Sequence, residues 1–188
     1  MRTQVKNHLI ALLAAAVCFA SPAYAQLPVS FGISAGATIP VGDFGDVNDA
    51  GYNFGAHTRL SLPFVPFALR AELQHNRMKY SPTDANTLVT SGTINGEFDV
   101  GSPLMLAKPY LTAGLGGYYI KTALRGTTPG TDRYGDVTSF GLNGGAGLRM
   151  PLAGFSAFVE ARVHWVSTGD EFLTGSATYI PLVFGITF

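Results

Sequence analysis

From residue 29 to residue 188 the sequence keeps returning to one pattern, a large apolar residue at every second position. In VSFGISAGATI the odd positions Val29, Phe31, Ile33, Ala35, Ala37 and Ile39 are apolar, while Ser30, Gly32, Ser34, Gly36 and Thr38 are small or polar. A period of two puts alternate residues on opposite faces of a strand, whereas a helix needs a period near 3.6. The second segment sets Tyr52, Phe54, Ala56, Leu60 and Leu62 against Asn53, Gly55, His57, Arg59 and Ser61. The third sets Phe67, Leu69, Ala71 and Leu73 against Arg70, Glu72 and Gln74, and the fourth Leu88, Ile94, Phe98 and Val100 against Ser91, Thr93, Asn95, Glu97 and Asp99. The fifth, PYLTAGLGGYYIK, is the least decisive, with Leu111, Ala113, Leu115 and Tyr119 on one side and Tyr110 and Tyr118 on the other. The sixth opposes Phe140, Leu142, Ala146, Leu148 and Met150 to Ser139, Asn143 and Arg149; the seventh opposes Phe155, Ala157, Val159, Ala161, Val163 and Trp165 to Ser156, Glu160, Arg162 and His164. YIPLVFGITF closes the series with Ile180, Leu182, Phe184, Ile186 and Phe188. The pattern predicts an all-β chain of eight strands.

The links alternate too. LPFVP, the stretch around GSPLML, and PLAG are short, whereas VGDFGDVNDAG, SPTDANT, ALRGTTPGTDRYGDVT and STGDEFLTG are longer and polar. An even strand count with short turns at one end and longer loops at the other is the pattern of an eight-stranded antiparallel up-and-down transmembrane β-barrel. A soluble β-sandwich or a secreted ligand-carrying barrel would also alternate, and the placement of charge separates these readings. Arg59, Arg70, Arg149 and Arg162 share the small, Gly-rich faces with Glu72, Glu97, Asp99 and Glu160, while the opposite faces carry essentially no charge and end in aromatic residues. Balanced charge on one face and an uncharged apolar face on the other predict a charge-paired interior and a lipid-facing wall.

The amino-terminal stretch MRTQVKNHLIALLAAAVCFASPAYA has a basic start (Arg2, Lys6), an apolar run from Leu9 to Ala20, and Ala23 and Ala25 around Tyr24. These features predict a signal peptide over residues 1–25, cleaved after Ala25, and a barrel domain over 26–188. The apolar run falls short of the roughly 20 residues of a membrane helix. Cys18, the only cysteine, lies in the segment expected to be removed, so no disulfide, thiol nucleophile or lipid anchor is expected in the remainder. Near-neutral charge, with ten Lys and Arg left against 12 Asp and Glu, gives no electrostatic footprint for nucleic acid.

With PYLTAGLGGYY and YIPLVFGITF in view, the mature sequence resembles the small outer-membrane β-barrel family that includes OmpX, Ail, the opacity-type proteins and the transmembrane domain of OmpA. The resemblance implies residence in the cell outer membrane of a Gram-negative type of bacterium. It also implies a carboxy-terminal strand read by the barrel-assembly machinery at Ile180, Leu182, Phe184, Ile186 and Phe188. Outer-membrane lipid and lipopolysaccharide are the expected surroundings, a host or surface ligand is the expected partner of the long loops, and the chain is expected to be a monomer without cofactors. The family shares an architecture more than a chemistry.

An eight-stranded barrel has room inside for side chains only, so the eight charged residues are expected to form a structural plug; a gated conduit for small solutes or a binding cleft is the alternative. A lipid A-modifying enzyme is a further alternative, with RVHWVSTGDE as its candidate stretch (His164, Ser167, Asp170). In the small-barrel lipid A deacylases the histidine and serine are two apart and share a face. Here they are three apart, which in a continuous strand sends them to opposite sides. DFG at Asp43 to Gly45 lacks a kinase context. DVNDAG starts like a calcium loop, but Ala50 and His57 stand where oxygen ligands belong, leaving at most a loose cation site of Asp43, Asp46 and Asp49. GLGG and GGAG lie inside strand patterns and are expected to make room for Tyr110, Tyr118 and Phe158 rather than cradle phosphate. Lys121, Arg125 and Arg133 stand near the third long loop, where Asp132 and Asp136 among them favour a solvated loop over a lipopolysaccharide contact. Pro181 faces inward and cannot donate a ladder hydrogen bond, so a bulge or local break is expected near the outer end of the last strand.

Overall fold

Each alternating segment becomes one strand of a single closed sheet in the computed structural model of the chain. The structure describes residues 29–61, 66–81, 85–100, 105–124, 133–168 and 175–188; the expected signal peptide, Cys18, Arg125, Asp132 and Asp170 lie outside them. The strands are β1 (Val29–Val41), β2 (Asn48–Ser61), β3 (Phe67–Tyr80), β4 (Ala85–Asp99), β5 (Lys108–Leu124), β6 (Arg133–Pro151), β7 (Ser156–Thr168) and β8 (Gly175–Thr187). All neighbours are antiparallel, and β8 returns to β1 from Gly32↔Thr187 to Val41↔Thr178, so the sheet has no edge. Phe188 extends the seam by exchanging two backbone hydrogen bonds with Phe31, at 3.1 and 2.7 Å.

The strands overrun the alternating segments at the long-loop end, and this corrects the expected link lengths. β2 begins at Asn48, β4 at Ala85, and the β5–β6 ladder continues through Thr122↔Gly135 to Leu124↔Arg133, leaving only residues 125–132 between those two strands. Strands of 13 to 19 residues exceed the roughly 9–11 needed to span a bilayer. The excess projects past the apolar band, where the outer face of a strand meets water instead of lipid while Asn48, Ala85 and Thr87 stay buried within. Alternation fades there while the hydrogen-bond ladder continues, which is why the sequence pattern reads as loop.

VGDFGDV, expected to be open loop, instead holds a one-turn helix, α1 (Asp43–Val47). Gly42 takes φ 62°, a left-handed value that suits glycine, and its carbonyl accepts from the amides of Gly45 (2.7 Å) and Asp46 (3.2 Å). The turn drives Phe44 down into the barrel mouth. Asn48 holds it there by donating from Nδ2 to the Phe44 carbonyl at 2.9 Å.

Pro181 is buried and inward, yet it causes no bulge. The β1 ladder runs unbroken through Thr38↔Pro181, while the β7 ladder skips from Ala161↔Leu182 to His164↔Tyr179 without changing register. The interruption is therefore the local-break form of the expectation, placed in mid-strand rather than near the outer end. Among the described residues a bulge does occur in β2, where the register with β3 shifts between Asp49 and Tyr52. Gly51 is required there, because a Cβ would strike the Arg77 carbonyl oxygen.

The wall and the lumen are opposite in character. Phe31, Leu73, Ile94 and Phe184 leave 61, 67, 62 and 65 % of their surface uncovered, an exposure of large apolar groups that water would not tolerate around a whole barrel. Outward aromatics gather in two belts. Phe31, Phe67, Phe98, Phe155 and Phe188 ring the short-turn end, and Tyr52, Tyr119, Phe140 and Trp165 ring the other.

The lumen is layered. Charged side chains occupy the short-turn end, and amides and hydroxyls occupy the middle, where Asn53 donates to Thr38 at 3.0 Å and Thr38 to Asn76 at 2.8 Å. An apolar cluster of Phe44, Met78, Val89, Tyr118, Ile120, Val166, Ala177 and Tyr179 fills the far mouth. Glycines make space for the largest inward rings. A Cβ on Gly147 would land on the Tyr110 ring, one on Gly141 on Tyr118, and one on Gly185 on Phe158. Gly147→Val should destabilise the barrel by about 1–3 kcal/mol through overpacking. Urea unfolding in detergent, followed by the heat-dependent shift in gel migration, measures it; a midpoint equal to that of the parent would contradict the close approach.

Candidate functional site

The interior charges arise from a simple property of strands. Arg70 and Glu72 are two apart on β3, Glu160 and Arg162 are two apart on β7, and each pair therefore points into the lumen from one strand. β3 and β7 stand on opposite sides of an eight-stranded ring, and the opposite order of sign along them lets the pairs mesh. Arg70 Nε lies 3.1 Å from Glu72, whose Oε1 is 2.5 Å from Arg162 Nη2. Arg162 Nε is 2.7 Å from Glu160, and Glu160 in turn is 2.8 Å from Arg70 Nη2. These four contacts close a ring of alternating sign across the barrel.

A second ring lies nearer the short-turn mouth. Glu97 on β4 meets Arg59 of β2 at 2.7 Å and Arg149 of β6 at 2.6 Å. Asp99 meets the same two guanidinium groups at 3.7 and 3.0 Å. Arg70 Nη1 joins the rings through Glu97 at 2.8 Å. The structure thus brings together all eight charged residues singled out in the sequence. Arg70, Arg162, Glu72, Glu97 and Glu160 are buried; Arg59 keeps 14 % of its side chain exposed and Arg149 11 %, at the mouth.

Aromatic residues brace the rings. Tyr110 donates its hydroxyl to Glu160 at 2.8 Å, and the Arg149 guanidinium lies 4.4 Å over the Tyr110 ring. Beside them, His57 Nε2 lies 3.1 Å from the Thr187 hydroxyl, with its ring edge-on to Phe158 at 5.4 Å. Above, His164 is buried, hydrogen-bonded to the Tyr118 hydroxyl at 2.9 Å and stacked on Tyr179 at 4.9 Å. Tyr179 and Phe44 had not been picked out as interior residues by sequence. Tyr179 was detectable, since it shares the inward parity of Pro181, whereas Phe44 sits in a helix that no strand pattern announces.

The remaining candidates separate. Ser167 is exposed on the outer face of β7, while His164 points inward, so the two do not form a nucleophile–base pair. Among the described residues no three His, Cys, Asp or Glu side chains cluster as metal ligands, and Asp43, Asp46 and Asp49 do not converge. Leu182, Phe184 and Phe188 stand exposed on the outer wall, with Ile180 and Ile186 half-buried beside them.

A closed eight-stranded barrel with an apolar wall, two aromatic belts and a neutral ionic interior defines an integral outer-membrane protein. Residues 10–188 match the outer membrane protein beta-barrel domain, and the chain belongs to that family. Among solved structures it is similar to Neisserial surface protein A, at TM-score 0.67 and 14 % identity over 85 % of this chain and 95 % of that one. It is also similar to the N-terminal β-barrel domain of Pseudomonas aeruginosa OprF (TM-score 0.51, 18 % identity, 85 and 97 % covered). The attachment invasion locus protein Ail of Yersinia pestis follows (TM-score 0.51, 15 % identity, 85 and 96 % covered). At these identities the likeness is one of fold. No curated protein gives a significant sequence match.

Removing one member of a desolvated ring leaves its partner's charge uncompensated, at a cost of about 3–5 kcal/mol. Arg162→Ala and Glu160→Ala should each lower the urea midpoint of the folded barrel by that order. Arg59→Ala, at the hydrated mouth, should cost well under half as much. Equal midpoints for the three variants would contradict the layered interior.

Proposed function

We propose that the protein is a closed outer-membrane barrel with a structural or surface-interaction role, its interior serving as a plug. The carrying observation is that the lumen is blocked twice, by two joined ion rings toward one end and by the Phe44-centred apolar cluster at the other. A conducting pore needs sites that bind weakly enough to release a solute; here the guanidinium and carboxylate groups bind one another. The separation of His164, inward, from Ser167, on the outer face, weighs against lipid A hydrolysis and supports the non-enzymatic reading.

In this reading residues 1–25 direct export and are removed. The barrel-assembly machinery takes up the outward row Ile180, Leu182, Phe184, Ile186 and Phe188. The short turns face the periplasm, and the opposite end, with α1 and the links beyond β3, β5 and β7, faces outward, where any host or surface ligand would be met. Planar-bilayer recording of the refolded monomer should give no stepwise conductance, and steady unitary steps from the parent protein would replace the plug with a narrow pore. Lipid A from cells producing the parent or Ser167→Ala should be identical by mass spectrometry; a shortened acyl pattern with the parent alone would restore the enzyme reading.

A further inference from the structure

The outer wall is not uniform: one sector, spanning β2 to β6, departs from a plain apolar surface. Starting at Tyr52 of the outer aromatic belt, cross-strand partners form a row of Tyr52, Arg77, Leu88, Lys121 and Asp136 that climbs with the strand tilt toward the outer end. Arg77 lies ten residues along β3 from Phe67 of the inner belt. With strand rise and tilt as usual, that is roughly 25 Å, the height of a barrel's apolar band, so Arg77 sits at the water–lipid boundary. Its guanidinium is held by neutral groups, donating to Asn86 Oδ1 at 3.2 Å and to the Tyr52 hydroxyl at 3.4 Å. Lys121 lies two strands away, about 10 Å between backbones. A recess of about 410 Å³ opens between them over Leu88 and Phe54. The acids of this sector flank it: Asp136 lies beside Lys121, and Asp49 beside Lys79.

The two rows beneath are as particular. Phe54, His75, Thr90 and Tyr119 come next, with His75 Nδ1 bonded to the Thr90 hydroxyl at 2.8 Å and its ring 5.2 Å from Phe54. Below them Leu73, Gly92, Gly117 and Phe140 form a row in which the two glycines are cross-strand partners. A side chain on Gly117 would meet nothing within 4 Å, and one on Gly92 would meet only the edge of Leu73. The wall therefore has a trough between Leu73 and Phe140, directly under the cationic recess.

We infer that this sector binds a phosphorylated, acylated glycolipid of the outer leaflet. Phosphate meets Arg77 and Lys121, sugar hydroxyls meet the His75–Thr90 pair, and one acyl chain lies in the Gly92–Gly117 trough. Two cations about 10 Å apart over an apolar floor suit an amphiphile with separated phosphates better than a phospholipid with a single one. The inference rests on the outward orientation proposed above, and it is independent of whether the lumen conducts.

Native mass spectrometry of the detergent-folded barrel with purified diphosphoryl lipid A tests it. One lipid should be retained per barrel. Arg77→Gln with Lys121→Gln should weaken retention about tenfold or more, in line with roughly 1 kcal/mol per cation near an anionic surface. Gly92→Leu with Gly117→Leu, which fills the trough from outside the folded wall, should also weaken it. Phosphatidylglycerol and phosphate-free lipid A should bind correspondingly less, and millimolar inorganic phosphate should not displace the lipid. The heat-dependent gel shift of each variant establishes that it folds. Retention unchanged in the charge variants, equal retention of phosphate-free lipid A, or displacement by free phosphate would overturn the site. A silent bilayer recording alongside any of these would leave the plugged barrel standing.

Discussion

Inside a hydrocarbon layer no water is present to satisfy a backbone amide or carbonyl, and everything in this structure depends on meeting that requirement with strands. The seam between β1 and β8 is where it is met or lost. Ten residue pairs from Gly32↔Thr187 to Val41↔Thr178 join the first strand to the last, and Phe188 adds its own exchange with Phe31. The same requirement explains the treatment of Pro181. Its missing amide falls on the β7 side, so the closing seam stays whole and the gap opens between two strands already adjacent in sequence.

Closure with eight strands then dictates the interior. The enclosed space is about one layer of side chains across, too narrow for bulk water and too wide to leave empty. Glycine and tyrosine share it by complementary size, as Gly147 and Tyr110 do. Charge is admitted only in closed circuits: each buried guanidinium touches two or three carboxylates, and the eight groups sum to zero. Because the upper ring joins β3 to β7 and the lower one joins β2, β4 and β6, the ion pairs tie together strands that share no backbone hydrogen bond. Hydrophobic residues of the same volume could fill the space, but they would not fix which strand faces which across it.

Legibility in the sequence followed the same physics. Where a strand has lipid on one face and lumen on the other, the contrast between faces is greatest, and parity alone placed Arg70, Glu72, Glu97, Arg149, Glu160 and Arg162 on the inside. The resemblance to small outer-membrane barrels agreed with that parity and added compartment and assembly, which no alternation can encode. Parity failed where the contrast ends. Past the outer belt Thr122 and Gly135 carry no apolar contrast between the faces of β5 and β6, so the ladder from Thr122↔Gly135 onward reads as loop. Phe44 was hidden for a related reason, since a one-turn helix has too few residues to show any period. The partners within the ion rings were also beyond reach: parity says which residues enter the lumen, but pairing across it depends on the strand count and on the stagger of eight registers.

The layered interior also bears on how such a barrel can change. Since the ion pairs and the apolar cap are made among inward side chains, nothing on the outer wall is needed to hold them, and outward positions are constrained chiefly by the lipid they meet. Over most of the circumference that constraint yields bulky apolar residues, as at Ile94, Leu115 and Leu142 in the row below the trough. Gly92 and Gly117 break the rule side by side on β4 and β5, where a glycine weakens a strand and covers nothing. Neither seats an inward ring, as Gly141 and Gly147 do, because both face outward. In the rows above, His75 with Thr90 and then Arg77 with Lys121 stand among apolar Phe54 and Leu88. A cationic recess, a hydroxylated pair and an unfilled trough, stacked on adjacent strands and unneeded by the interior, suit a particular lipid rather than the bilayer as a whole.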